Sequence, residues 1–510
     1  MTSFLKSKDA EPRSTSRALM KSLSLNVVSN LLLYIGHLII ARRLLREDYA
    51  TFVIVVSFVS LAALFADLGL MGLFIRKFAE AEALAAAGKN DTRGELLGTI
   101  LAFRIFLAVI VSIVVVLVTP FLGYPLETRH LMMIMLVTFF ISSRLVIVRS
   151  VGEAFLRAAN KYHVVALLVT VDALAFTSVL YFYSGKVLDV ESAVWIYSFC
   201  HLPGFFLLAG IIYRDAKSIG FHLRFRFSTL RSIIGDSLPF ILSTAFLTIH
   251  SQADPLLLDR LSTAKEVSAF GAGLRVLSAL IFLPAVFSAI LGPIVTHATV
   301  SREIEMIRIK VDRSLRLLLL SALVIAIMLS ASSDLVMNVL FGAGKYSDAA
   351  PLVTIFGWTF IPICFGAFLM DIAAAEGRYW LPVFYTGILM ITSITCDILL
   401  IPGYGALGVG IAKGIALTAG GIMLIAKSNT LEVFDRKKML LIFLRLAIVA
   451  LTAIGIMYLL TLWHIPAILA LCFVLITSLV NAVFLVEIIS FHEMRAFISG
   501  FIPSFNRQQN

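Results

Sequence analysis

Apolar runs close to the length of a bilayer-spanning helix recur along the whole chain, separated by short polar breaks. A spanning helix needs about 20 mostly apolar residues, and on that measure the pattern predicts about fourteen spans. They cover residues 22–42, 50–71, 95–121, 129–148, 163–185, 191–213, 233–256, 269–296, 314–341, 351–374, 379–402, 405–427, 438–463 and 466–490. Strands of a β-barrel would be about 10 residues long with period-two alternation, which these runs lack. The longest break, 72–94, reads as a short amphipathic piece, and no soluble domain fits between spans. The pattern predicts an all-α polytopic membrane protein with two six-helix lobes plus a C-terminal helix pair. The expected organisation is a cytoplasmic tail (1–21), an N-lobe (22–213), a cytoplasmic linker (214–232), a C-lobe (233–427), two extra helices (438–490) and a second cytoplasmic tail (491–510).

Composition narrows the class. Of 510 residues, 60% are hydrophobic and only 14% are charged, and the mean hydropathy is +0.98. A soluble domain carries roughly a quarter of its residues as charges. A disordered chain, a nucleic-acid-binding module and an ordinary cytosolic enzyme are excluded. The net charge of +11 would by itself suggest nucleic acid, but its placement says otherwise. With the N-terminus inside, the cytoplasmic segments hold roughly 30 Lys and Arg and the outer ones roughly 8, the asymmetry of the positive-inside rule. Arg144, Arg149 and Arg157 fall in that cytoplasmic count. The bias predicts both termini in the cytoplasm and an even number of spans. The first apolar run is too long for a signal-peptide core. Cys200, Cys364, Cys396 and Cys472 all fall inside spans, read as buried apolar residues, and lack disulfide or zinc spacing.

Two loops resemble each other. Arg43-Leu44-Leu45-Arg46-Glu47-Asp48-Tyr49-Ala50-Thr51-Phe52 follows the first span. Arg260-Leu261-Ser262-Thr263-Ala264-Lys265-Glu266-Val267-Ser268-Ala269-Phe270 follows the seventh. The offset of about 218 residues fits the internal repeats of secondary transporters, here parallel ones. Polar residues inside the spans are costly and usually face a bundle interior or a wet cavity. Asn26, Asn30, Tyr34 and His37 share a face of the first span, and Ser57, Ser60 and Asp67 form a stripe on the second. Thr244, Thr248 and Ser251 line the seventh, with His250, Gln252 and Asp254 beside them. Gly271, Arg275 and Ser278 lie on the eighth. These four spans are expected to line one shared cavity, the alternative being interhelical hydrogen bonding. A lone arginine about two turns into a span, as Arg275 is, needs water or an anion. Arg104, Asp172, Asp371, Asp397, Lys413 and Arg445 add intramembrane charge, with ion pairing or snorkelling as the alternative. Pro203, Pro239, Pro284, Pro293, Pro362 and Pro382 permit bends within spans.

Several of these stretches carry a resemblance. Ala41-Arg42-Arg43-Leu44-Leu45-Arg46-Glu47-Asp48-Tyr49 with Phe65-Ala66-Asp67-Leu68-Gly69-Leu70 resembles the opening of polysaccharide flippases of the multidrug/oligosaccharidyl-lipid/polysaccharide exporter superfamily. Leu238-Pro239 through Asp254, Glu266 through Phe270, Leu274-Arg275, Phe341-Gly342 with Tyr346, and Ile401-Pro402-Gly403-Tyr404-Gly405-Ala406-Leu407-Gly408 are similar to later motifs of the same family. The resemblance implies an inverted-V, fourteen-helix transporter of the Wzx type. It would flip undecaprenyl-diphosphate-linked oligosaccharide for O-antigen, capsule or exopolysaccharide assembly. It also implies cationic cavity residues that hold the diphosphate and sugar acids. Arg275 best matches that role, with His37, His250, Arg104, Asn30 and Gln252 as further substrate-binding candidates.

Coupling would draw on a proton or Na+ gradient, with no cofactor or metal. Asp254 and Asp67 are the candidate ion carriers, since a poorly solvated carboxylate holds its proton more tightly. Asp67 has an alternative as a helix cap or a partner of Arg76. Expected partners are the lipid-linked oligosaccharide, membrane lipids, and a polysaccharide polymerase with other pathway proteins, not nucleic acid. A drug or cation exporter is expected to carry an acidic site in its first helix, and the membrane part of this one has no Asp or Glu. A lipid II flippase is expected to carry arginines inside its first two helices, which are absent here. A polytopic glycosyltransferase or polymerase needs a large outer loop or an acidic metal motif, and the outer loops here are short.

Overall fold

The computed structural model describes residues 12–462 except 68, 70, 87–91, 146, 160, 184–187, 220–223, 288–290, 292–294, 296–303 and 428–435, and adds 473, 474, 476–478 and 481. Beyond those few positions, the last predicted span falls outside the described residues, as do Cys472, Pro293 and residues 1–11 and 491–510. The described residues form helices and no strand. The chain divides into two compact units, Met1–Gly271 and Ala272–Asn510.

The first unit contains α1 (Pro12–Arg43), α2 (Arg46–Asp67), α3 (Met71–Ala86), α4 (Arg93–Val118), α5 (Leu126–Met135), α6 (Thr138–Ile141), α7 (Val148–Ala158), α8 (Tyr162–Phe182), α9 (Val190–Phe199), α10 (Leu202–Ile219) and α11 (Phe227–Leu261). The helix α12 (Ala264–Leu280) crosses into the second unit, which continues with α13 (Ile304–Phe341), α14 (Ala350–Ala375), α15 (Trp380–Lys427) and α16 (Arg436–Leu462). Among the described residues, 9 helices are long and apolar enough to cross a membrane, or 10 when the two parts of α11, bent by 64°, count as one span. The protein is a multi-pass membrane protein. The amphipathic piece expected over 72–94 is α3, and α1 starts at Pro12, inside the expected tail.

Small residues let these helices approach closely, as bilayer packing requires. A Cβ on Gly36 of α1 would stand 2.4 Å from the Phe176 ring of α8, and Thr177 donates to the Leu32 carbonyl at 2.6 Å. The α2–α3 turn needs Gly69, whose φ is +57°. A Cβ there would also lie 2.9 Å from the Phe240 carbonyl oxygen of α11. At the start of α11, Arg226 and Thr229 both bond to Glu95 at the start of α4. The two similar loops of the sequence touch. Arg46 donates to the Ser268 hydroxyl and the Lys265 carbonyl, each at 3.2 Å, and Gly271 lies against Tyr49 and Val53.

One long helix resolves into two predicted spans, and one predicted span is broken. As one straight helix, the 48 residues of α15 would reach about 72 Å at 1.5 Å per residue, over twice the hydrocarbon thickness of about 30 Å. Instead the chain reverses at Gly405 (φ 54°, ψ −130°), a conformation that favours glycine. Gly408 then lies back against Leu400 and Ile401, and Gly420 against Tyr385 and Leu389. The predicted spans 379–402 and 405–427 are therefore the two arms of one hairpin. The fourth predicted span, 129–148, is not continuous. Helix α5 stops at Met135, α6 is a single turn, and the chain becomes extended at Ser142 (φ −78°, ψ 136°) before α7 begins at Val148.

Candidate functional site

Backbone left non-helical inside a membrane protein must find hydrogen bonds within the protein, because hydrocarbon offers none. The break between α6 and α7 meets that demand with two arginines. Arg149, fully buried, donates from Nη1 to the Ile141 carbonyl at 3.2 Å and to the His201 carbonyl at 3.1 Å. Arg104 of α4, also fully buried, donates from Nη1 to the Ile147 carbonyl at 2.8 Å and to the Ser150 hydroxyl at 3.0 Å. The Ser142 hydroxyl accepts from the Arg144 amide at 3.0 Å. The carbonyls on either side of the break are thereby satisfied by side chains from α4 and α7.

Each of these arginines has its own carboxylate. Arg104 Nη2 lies 2.6 Å from Asp67 Oδ1 and also donates to the Asp67 carbonyl at 3.0 Å, which closes the C-terminal end of α2. Arg149 Nη1 lies 2.6 Å from Asp172 Oδ2 of α8, and its Nε lies 3.1 Å from Glu153 Oε1. Asp172 Oδ1 accepts from the Gly204 amide at 2.9 Å. A Cβ on Gly204 would lie 2.3 Å from that same oxygen, so α8 and α10 meet at this point only because residue 204 lacks a side chain. Buried charges persist where they are paired and hydrogen-bonded. Arg149 therefore belongs to the buried interior and not to the solvated cytoplasmic loop in which the hydropathy pattern counts it. Its partner Asp172 was visible only as one of several intramembrane charges.

Asp67, expected as an ion carrier or a partner of Arg76, is paired with Arg104. That pairing joins two of the expected site residues 37 positions apart. Arg104→Lys keeps the charge but not the planar fork that reaches a carboxylate, two carbonyls and a hydroxyl together. The expected loss is about 1–3 kcal/mol of stability, read as a lower melting temperature of the detergent-solubilised protein. An unchanged melting temperature would remove the stitching role of the guanidinium.

The other expected residues are dispersed. Asn30 is exposed on α1, and His37 is half-buried, its ring 5.5 Å from Phe176 and 5.8 Å from Tyr197. On α11, His250 and Asp254 are buried and Gln252 is half-buried, its amide 3.4 Å from the Ser251 hydroxyl. Arg275 lies on α12 one turn beyond Gly271. It is half-buried and has no ion pair among the described residues. In the second unit Asp397 and Lys413 are buried on the two arms of the α15 hairpin. An open groove of about 650 Å³ between α14 and the second arm is lined by apolar side chains such as Trp358, Pro362 and Ile415, with no charged group. Among the described residues, no three His, Cys, Asp or Glu side chains converge as a metal site.

The chain has recognisable relatives. A family model described as polysaccharide biosynthesis protein matches residues 19–300. No curated protein sequence matches. Among solved structures the chain is similar to the lipid II flippase MurJ in an inward closed conformation. The TM-score is 0.68 at 14% identity, over 91% of this chain and 98% of that one. It is also similar to an inward-facing multidrug resistance MATE family transporter of the MOP superfamily, with TM-score 0.61, 14% identity, and 81% and 98% of the two chains covered. A mutant of the Vibrio cholerae MATE transporter VcmN gives TM-score 0.56 at 17% identity, over 83% and 99%. At these identities the likeness is one of fold.

Proposed function

The chain belongs to the polysaccharide biosynthesis protein family, and from that premise we propose that it flips undecaprenyl-diphosphate-linked oligosaccharide repeat units across the inner membrane. The repeat units would feed O-antigen, capsule or exopolysaccharide assembly, with a polymerase and other pathway proteins downstream. The observation that carries this reading is the family match itself, which runs to residue 300 and so takes in Arg275. Both termini are assigned to the cytoplasm on the Lys and Arg bias of the loops.

The mechanism is alternating access, with residues 22–213 rocking against 233–427. The diphosphate head sits at Arg275, while the polyprenyl tail stays in the bilayer. Arginine suits the task because its fork binds phosphate oxygens in pairs and stays charged at any cellular pH. Its partial burial and lack of a carboxylate partner among the described residues support this assignment. His37, His250, Asn30 and Gln252 are assigned to the sugar, as hydrogen-bonding groups on α1 and α11. Return of the empty carrier draws on a proton or Na+ gradient. Asp254, fully buried on α11, is the proposed carrier, with Asp67 second because Arg104 already neutralises it. No step makes or breaks a covalent bond.

The test is Arg275→Ala in a strain that depends on this gene for its surface polysaccharide. Surface polymer is expected to be lost, with lipid-linked repeat units accumulating on the cytoplasmic face and normal amounts of the protein in the membrane. Wild-type polymer would remove Arg275 from the site. Deletion of the gene without such accumulation would remove the function.

A further inference from the structure

Three arginines flank or occupy the break in the fourth predicted span, and among the described residues two of them pair with carboxylates. Arg104 has Asp67, and Arg149 has Asp172 and Glu153. Arg144, within the break, has no carboxylate partner among the described residues. Its guanidinium carbon lies 4.9 Å from the centre of the Phe176 ring and 4.7 Å from that of Tyr197. The His37 ring packs against both of these aromatics. Both terminal nitrogens, Nη1 and Nη2, are buried without a hydrogen-bond acceptor among the described residues.

Ring faces attract a cation but accept none of its N–H bonds in the guanidinium plane, where the donors point. Four N–H donors on one charged group are therefore held away from water with their acceptor positions unfilled, a costly arrangement unless an acceptor arrives. The missing acceptor must be planar or forked to match the guanidinium, and anionic to offset its charge. Phosphate and carboxylate oxygens meet both conditions. Arg144 as a whole is half-buried, so the buried guanidinium nitrogens belong to a residue that still touches solvent.

We propose that Arg144, held against Phe176 and Tyr197 at the broken helix, is an oxyanion-binding site of the first unit, separate from Arg275. The oxyanion is either the diphosphate of the lipid carrier or the carboxylate of an acidic sugar. The site rests on the transport reading only for the source of its ligand. Its test measures binding and not export, so the two can fail separately.

The experiment uses the full chain purified in detergent at fixed chloride, titrated with inorganic pyrophosphate, with glucuronate, and with glucose as the neutral control. Binding is read by calorimetry and by thermal stabilisation. Wild type is expected to bind at least one of the two anions and not glucose. Pyrophosphate alone points to the carrier, and glucuronate alone or with pyrophosphate points to a sugar acid. In an Arg275→Ala background, which removes the diphosphate site proposed above, Arg144→Met is expected to abolish the remaining binding. Arg144→Lys, which keeps the charge and loses the fork, is expected to weaken it about tenfold. Should Arg144→Met fail to fold, the lysine variant and Arg144→Gln carry the comparison, the glutamine losing binding. No anion binding by wild type overturns the site. So does equal binding by Arg275→Ala with and without the Arg144 substitutions, or loss of all binding in Arg275→Ala itself.

Discussion

Arg149→Met is expected to destabilise the protein by about 3–5 kcal/mol, the usual effect of removing one partner of a buried ion pair. Asp172 would then be left inside the first unit without its cation, Glu153 would keep only the longer pair to Arg157 at 3.5 Å, and the Ile141 and His201 carbonyls would lose their donor. The readouts are the melting temperature in detergent and the amount of protein recovered from membranes, both of which should fall sharply. Adding Asp172→Leu to the same chain should restore part of the loss by removing the stranded carboxylate. Recovery should be incomplete, because the carbonyls and the Gly204 amide still lack partners. A single variant within about 0.5 kcal/mol of wild type, the range of ordinary surface substitutions, would show that this network does not hold the unit together.

The second large effect is expected at the hairpin of α15. A Cβ on Gly408 would stand 2.6 Å from the Leu400 carbonyl oxygen and 3.1 Å from the Ile401 amide nitrogen. Both are backbone atoms, so no rotamer change can make room and the two arms must part. Gly408→Val should therefore cost at least about 3 kcal/mol, at the upper end of over-packing substitutions. Gly403 is the internal control. It lies only five residues away in the same turn, and a Cβ there meets nothing within 4 Å. Gly403→Ala should leave the melting temperature close to wild type. Equal melting of the two variants would refute the close approach of the arms.

What the sequence made legible follows from the length scale of each signal. Hydropathy over about 20 residues locates helices, and it correctly marks the runs of α2, α4, α8 and α14. The same window is blind to backbone dihedrals. Apolar residues continue through Val137, Phe139, Phe140 and Ile141 into Ser142 without any change that a running average registers, so the fourth span reads as continuous and Arg149 as a loop residue. The Ser142-Ser143-Arg144 sequence was the local sign of a break. Pairings such as Asp67 with Arg104, or Arg149 with Asp172, join residues brought together by tertiary folding alone. A charge inventory could still have reached them, since each carboxylate deep in a span requires a cation and few were available. The hairpin reversal was foreseen as two spans because Pro402, Gly403 and Gly405 interrupt the run. That both arms would lie so close at Gly408 depends on three-dimensional contact.

The extent of the first unit bears on how the chain is made. Helix α11 and the loop after it belong to that unit, which ends at Gly271, and the α2–α3 turn leans on Phe240 of α11. A ribosome that has just inserted residue 213 has delivered six predicted spans and still lacks the helix that several of them rest on. At 5–20 residues per second, Gly271 follows about 3 to 12 seconds later. For that interval Gly69 and the α4 contacts at Glu95 have no α11 to meet. A chain truncated near residue 213 would lack these contacts permanently, and less of it than of the full chain is expected to be recovered from membranes.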